Sequence, residues 1–231
     1  MIGLTDDEAL RDLAKGITYT YISEVQGDIA EFGCFYGKSA RVIAQQMQMC
    51  DQVHCASDSS PVLGERKLWL FDSFQGLPKA TLPPDTESPH VISGAWNWTV
   101  EGANAPTPAG ITQQCSAFLP VDRIKVIPGW YKEALSQIPA DTKFAFVHID
   151  CDLYESAYQV LDHLFGNDML SDGCALFFDD WYCNRGSPKF GEQKAFAEIF
   201  DNYCSTIRYC PKIITDWGPY GIVGRKFIVH R

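Results

Sequence analysis

Two unbroken apolar runs, residues 144–149 and 174–178, each stop on acidic residues. The first enters Asp150 and Asp152 within HIDCDLYES, and the second enters Asp179 and Asp180 within FFDDW. An apolar run with no polar alternation reads as a strand buried on both faces, and such strands belong to sheets covered by helices on each side. The rest of the chain supplies those helices. Strands are expected at residues 29–32, 68–71, 124–127, 213–215 and 221–229 as well, and helices at 6–24, 39–49, 111–118, 154–165 and 193–203. The first helix takes Thr5 as its N-cap and Leu10, Leu13, Ile17 and Tyr21 as its apolar stripe. Strands alternating with helices define an α/β fold with a mainly parallel sheet. The 231 residues, 46% of them hydrophobic, are expected to form a single domain with a sizeable core.

Charge and composition exclude several classes. A formal net charge of -10 argues against nucleic acid as a partner, because phosphate binding needs a basic face. No apolar stretch is long enough to cross a bilayer, and the acidic N-terminus lacks the basic and apolar regions of a signal peptide, so a cytoplasmic protein with no membrane partner is expected. Nine scattered cysteines form no CxxC pair and read as reduced thiols, several of them in the core. Residues 76–110, rich in Pro, Gly and Thr and carrying Trp96 and Trp98, are too long and too aromatic for an idle loop and are expected to act as a lid. Residues 181–191 follow the second acidic pair directly and are expected to overhang it.

The acidic runs point to a cation. In extended chain Asp150 and Asp152 face the same side, and if the two strands are neighbours at least three carboxylates converge with Asp179 and Asp180. Such a cluster repels itself and either holds protons or takes up a cation. Its all-oxygen donors favour Mg²⁺, Mn²⁺ or Ca²⁺ over zinc. One Asp-Asp pair alone is more often a solvated turn or an N-cap; two pairs at the ends of two buried strands reverse that reading. His148, inside an apolar strand, reads as a hydrogen-bonded core histidine.

The segment EFGCFYGKS follows the first strand and leads into a helix, the opening of a βαβ nucleotide-binding unit. Gly33 and Gly37 let the backbone bend and approach a ligand, which makes the turn, with Phe35 and Tyr36 inside it, a candidate cofactor site. Asp72 ends the next strand, where an acidic group accepts from ribose hydroxyls. Glu31 beside the turn repels phosphates and suits a sulfonium, which favours S-adenosylmethionine over a dinucleotide.

The segments GDIAEFGCFYGKSA, LWLFDSFQGLP, VIPGWYKEAL, HIDCDLYESAYQVLDHLF and DGCALFFDDW stand in the order and spacing of the macrocin O-methyltransferase family, which this chain resembles from Gly27 to about Tyr203. The resemblance implies a class I methyltransferase fold, Rossmann-like and seven-stranded with an antiparallel last strand. It implies S-adenosylmethionine and Mg²⁺ (or Mn²⁺) as cofactors, a hydroxylated small-molecule acceptor containing a sugar, and a homo-oligomer. Asp150, Asp179 and Asp180 would hold the metal, with Asp150 also near the cofactor. Asp152 would be the general base, with His148 as the fallback. Glu31, Gly33 and Ser39 would line the methionine end of the cofactor, Asp72 would bind its ribose, and Ser73 with Gly129, Trp130 and Tyr131 would lie near its adenosine. Lys38, Glu133 and Ala134 depart from residues common in that family. Two other readings fit part of the pattern: a metal-dependent nucleotide-sugar glycosyltransferase using the DxD run, and a catalytically silent scaffold of the same fold.

Overall fold

The structure is a computed structural model, described here for residues 3–54, 61–90, 95–96, 106–204, 210–217 and 224–231. Strands β1 (Asp28–Phe32), β2 (Leu68–Asp72), β3 (Ile124–Pro128), β4 (Phe144–Ile149), β5 (Leu170–Phe178), β6 (Cys210–Trp217) and β7 (Gly224–His230) make one sheet in the order β3-β2-β1-β4-β5-β7-β6. The first five pair in parallel, and β7 runs antiparallel to both β5 and β6. Helices α1 (Gly3–Ile22), α2 (Lys38–His54), α3 (Pro83–Thr86), α4 (Pro108–Cys115), α5 (Tyr131–Ala134), α6 (Tyr154–Gly166) and α7 (Gly191–Ile199) fill the connections. No helix among the described residues is long and apolar enough to cross a membrane.

Strands β1, β2, β4 and β5 are largely buried on both faces because they feed two cores. Ile29, Leu68, Leu70, Phe146 and Phe177 point into one, with Leu13 and Ile17 of α1, Ile43 and Met47 of α2, and Ile111 of α4. Phe32, Phe71, Val147, Ile149, Leu176 and Phe178 point into the other, against Val160 and Leu164 of α6 and Ala195 and Ile199 of α7. Gly16 lets α1 lie directly on the sheet: a Cβ there would stand 2.6 Å from the Phe146 ring and 2.7 Å from that of Phe177.

Several expectations shift at the edges. The first helix is already running at Gly3, so Thr5 lies inside it and is no N-cap. The expected helix at 193–203 is α-helical only to Ile199 and ends in a π turn, Phe200–Cys204. Thr107 caps α4, accepting from the Gly110 N–H at 3.0 Å, so that helix starts before residue 111. Two single-turn helices, α3 and α5, were not anticipated. Residues 221–223 and Trp98 lie outside the described residues, as does part of the expected lid. Cys34, Cys50, Cys115, Cys151, Cys174, Cys183 and Cys204 are free thiols.

β1 has β2 on one side and β4 on the other, so the winding reverses between β1 and β4. At such a switch point the loops leaving the carboxyl ends of the strands diverge and open a crevice.

Candidate active site

The chain turns sharply as it leaves β1. Gly33 has φ +91, its N–H donates to the Phe71 carbonyl at 2.8 Å, and a Cβ on it would fall 1.9 Å from the Asp150 carbonyl oxygen. Only glycine fits there. Asp72, ending β2, braces the turn: its Oδ2 accepts from the N–H groups of Cys34 (2.9 Å) and Phe35 (2.8 Å), and its Oδ1 from that of Phe74 (2.7 Å). Trp96 lies edge-on to Phe35, with ring centroids 5.7 Å apart.

The register of β4 on β5 sets Ile149 beside Phe178, so the acidic residues that follow the two strands emerge side by side. Asp150, Asp179 and Asp180 bring one carboxylate oxygen each to within 4.8 Å of the others. Burial, then Asp179 and Asp180, push the Asp150 carboxyl well above the usual range. Burial, then Asp152 and Asp179, do the same to Asp180. Asp152 reaches the cluster differently from the extended-chain expectation. The strand ends at Ile149, and Asp152 takes a left-handed backbone (φ +55) that aims its N–H at Asp180 Oδ2, 3.1 Å away.

Behind this cluster stands a buried layer. His148 is 1% exposed, with Nδ1 2.9 Å from Glu31 Oε1 and Nε2 3.8 Å from Asp179 Oδ1. Burial opposes its charge, but Asp179 and Glu31 favour it and raise its pKa to about 10. Glu192, at the start of α7, is fully buried and clamps both acidic loops: Oε1 accepts from the Cys151 N–H (3.3 Å) and Oε2 from the Asp180 N–H (3.0 Å).

The glycine turn and the carboxylates share one cleft of about 500 Å³. Gly33, Phe35, Asp72, Ser73, Gly129, Trp130, Tyr131, Asp150, Asp152, Asp179 and Asp180, all singled out in the sequence, line it. Glu31, Tyr36, Gly37, Ser39 and His148 are not among the lining residues. Glu31 is buried as the partner of His148, and His148 is a buried histidine held between Glu31 and Asp179. Trp181 is 7% exposed and packs on Phe178 (5.0 Å between centroids) and Phe227 (5.3 Å), so it belongs to the core and does not clamp a ligand. The sequence reading missed Glu192, Asp85 and His90. A lone acid at a helix start reads as a dipole partner, and neither of the other two sits in a periodic pattern.

The strand order, the antiparallel β7 and the glycine turn at the switch point define the Rossmann-like fold of class I methyltransferases. The O-methyltransferase NovP superposes with a TM-score of 0.65 at 20% identity, over 96% of this chain and 79% of that one. The calicheamicin methyltransferase CalS11 does so with a TM-score of 0.67 at 21% identity, over 94% and 78%. The chain belongs to the macrocin O-methyltransferase family, whose sequence profile matches residues 1–200; this is a family of S-adenosylmethionine-dependent methyltransferases. The mycinamicin III 3''-O-methyltransferase of Micromonospora griseorubida is 28% identical over 185 residues, 79% of this chain and 65% of that protein. The demethyldecarbamoylnovobiocin O-methyltransferase of Streptomyces niveus is 24% identical over 206 residues, 87% and 70% respectively. A rhamnosyl-tetracenomycin C 4'-O-methyltransferase of Streptomyces olivaceus is 25% identical over 185 residues, 78% and 62%. The chain thus spans about two thirds of the length of these relatives. The resemblance read in the sequence holds for fold and family, and the glycosyltransferase reading falls with it.

Proposed function

We propose that this protein transfers a methyl group from S-adenosylmethionine to a hydroxyl of a sugar or glycosylated small molecule, with a divalent cation as a second cofactor. One observation carries the reading: the glycine turn and the three converging carboxylates open into the same cleft, of a size that suits a small-molecule site. The three relatives named above, each an O-methyltransferase of a natural product, support the acceptor class. The residues fit both cofactors. The donor set of Asp150, Asp179 and Asp180 is all oxygen and suits Mg²⁺ or Mn²⁺, and Asp72 keeps a lone pair on Oδ1 for a ribose hydroxyl after accepting its three backbone N–H groups.

When bound, the cofactor supplies a methyl group on a sulfonium and the cation supplies a Lewis acid for the acceptor hydroxyl. The chain does the rest. Asp150, Asp179 and Asp180 hold the cation, and Glu192 and His148 fix the loops that carry them. Phe35, Trp96 and Trp130 line the cleft with the glycine turn and offer apolar surface to the cofactor. Asp152 lines the cleft, and it is the base in this reading. His148, buried behind Asp179, positions.

The test is a screen of sugar nucleotides and glycosides with S-adenosylmethionine and Mg²⁺, following S-adenosylhomocysteine. At least one acceptor is expected to turn over, with loss on chelation and recovery on adding Mg²⁺. Asp152→Asn should lower kcat by roughly 10²–10⁴-fold at nearly unchanged cofactor affinity. Turnover that chelation leaves intact would take the cation out of this account.

A further inference from the structure

A second group of ligating side chains stands beside the carboxylates. His90, Asp180 and Cys183 bring a ring nitrogen, a carboxylate oxygen and a thiol sulfur to within 4.8 Å of one another. The Cys183 thiol donates to Asp180 Oδ1 at 3.1 Å, and His90 Nε2 lies 3.5 Å from Asp152 Oδ1. The two segments that meet here are about ninety residues apart and are latched together, since Ser88 Oγ donates to Oδ1 of the buried Asn184 at 2.6 Å. The imidazole and the thiol therefore face each other through fixed tertiary structure, not through the chance approach of two neighbours in sequence.

The donors differ in kind from the first cluster. Asp150, Asp179 and Asp180 offer only oxygen, which suits hard cations, whereas a thiolate and an imidazole with one carboxylate are a zinc set. Tetrahedral zinc with bonds of about 2.0–2.3 Å places its ligand atoms about 3.3–3.8 Å apart, so atoms that already lie within 4.8 Å of one another need to close by no more than about 1.5 Å. We propose that His90, Asp180 and Cys183 form a second cation site, selective for a soft divalent ion such as Zn²⁺, that shares Asp180 with the carboxylate cluster. Three protein ligands leave the fourth position to solvent, and the thiol proton passes to solvent as the ion binds. Because Asp180 serves both groups, the soft ion and a hard cation compete. The soft-ion site itself stands apart from the proposed function; its competition with Mg²⁺ rests on that reading, in which the carboxylate cluster holds a hard cation.

Binding is tested without turnover. Chelator-treated full-length protein is titrated with Co²⁺ as the spectroscopic substitute for Zn²⁺, and the near-ultraviolet thiolate-to-cobalt band is followed. The band is expected to appear at one equivalent in the wild type, to vanish in Cys183→Ser, to weaken at least tenfold in apparent affinity in His90→Asn, and to be displaced by Zn²⁺. Excess Mg²⁺ should raise its midpoint at least threefold. A band that never forms, or that persists in Cys183→Ser, overturns the site; a midpoint indifferent to Mg²⁺ overturns the sharing of Asp180. The methyltransferase reading is untouched by either result, because a screen with Mg²⁺ alone tests it separately.

Discussion

Gly33 sets the limit on what a single residue can change at this site. A methyl group there meets the Asp150 carbonyl oxygen at 1.9 Å on a backbone already at φ +91, so Gly33→Ala should cost about 3 kcal/mol or more in urea unfolding and abolish cofactor binding. That requirement was legible, because glycine just after a buried strand has few other uses. Glu192 was not. Its carboxylate holds the N–H groups of Cys151 and Asp180, so Glu192→Ala should weaken Mn²⁺ binding by roughly 10–100-fold, read by calorimetry. A lower melting temperature with unchanged Mn²⁺ affinity would make it a merely structural residue. Burial decided its role, and burial of a polar residue has no sequence pattern. Asp72 stands between the two: its place at the strand end marks it, but its service to three backbone N–H groups shows only in the fold.

Among the elements, α6 takes its cap from far away. Asp85, buried in the 76–90 stretch, accepts from the N–H of Tyr154 (2.7 Å) and of Glu155 (3.0 Å), and Thr81 Oγ1 donates to Glu155 Oε2 (3.0 Å). The start of the expected lid is thus pinned to the helix that follows the first acidic run. Asp85→Ala should lose about 1–2 kcal/mol of stability and speed hydrogen exchange at the Tyr154 and Glu155 amides ahead of the rest of α6; uniform loss of protection would argue against a local cap. The local residue that should cap α6, Leu153, has no side-chain acceptor, and the sequence cannot say that a residue 69 positions away fills the gap. Strands were the easier reading. Apolar runs of four to six residues with no alternation have no other stable home in a protein of this size, whereas the π turn after α7 depends on packing that no local pattern encodes.

At the scale of the whole molecule, the winding order puts the strongest local signals in one place. β1 and β4 are 111 residues apart at their closest ends, yet they are neighbours, and Asp150 N–H donates to the Phe32 carbonyl at 2.9 Å. The glycine turn and the acidic runs could each be read singly from sequence, and parallel strands with right-handed crossovers then leave them little choice but to share a crevice. Which side chains face that crevice and which stand behind it, as Glu31 and His148 do, depends on twist and register, and only the structure supplies these. The central claim, that the crevice is an S-adenosylmethionine site beside a cation site, is tested most directly by titrating chelator-treated protein with S-adenosylmethionine in a calorimeter, for the wild type and for Asp180→Asn. The account requires one site of micromolar affinity in both proteins, since Asp180 serves the cation and not the cofactor. Absence of binding in the wild type at millimolar cofactor would contradict it.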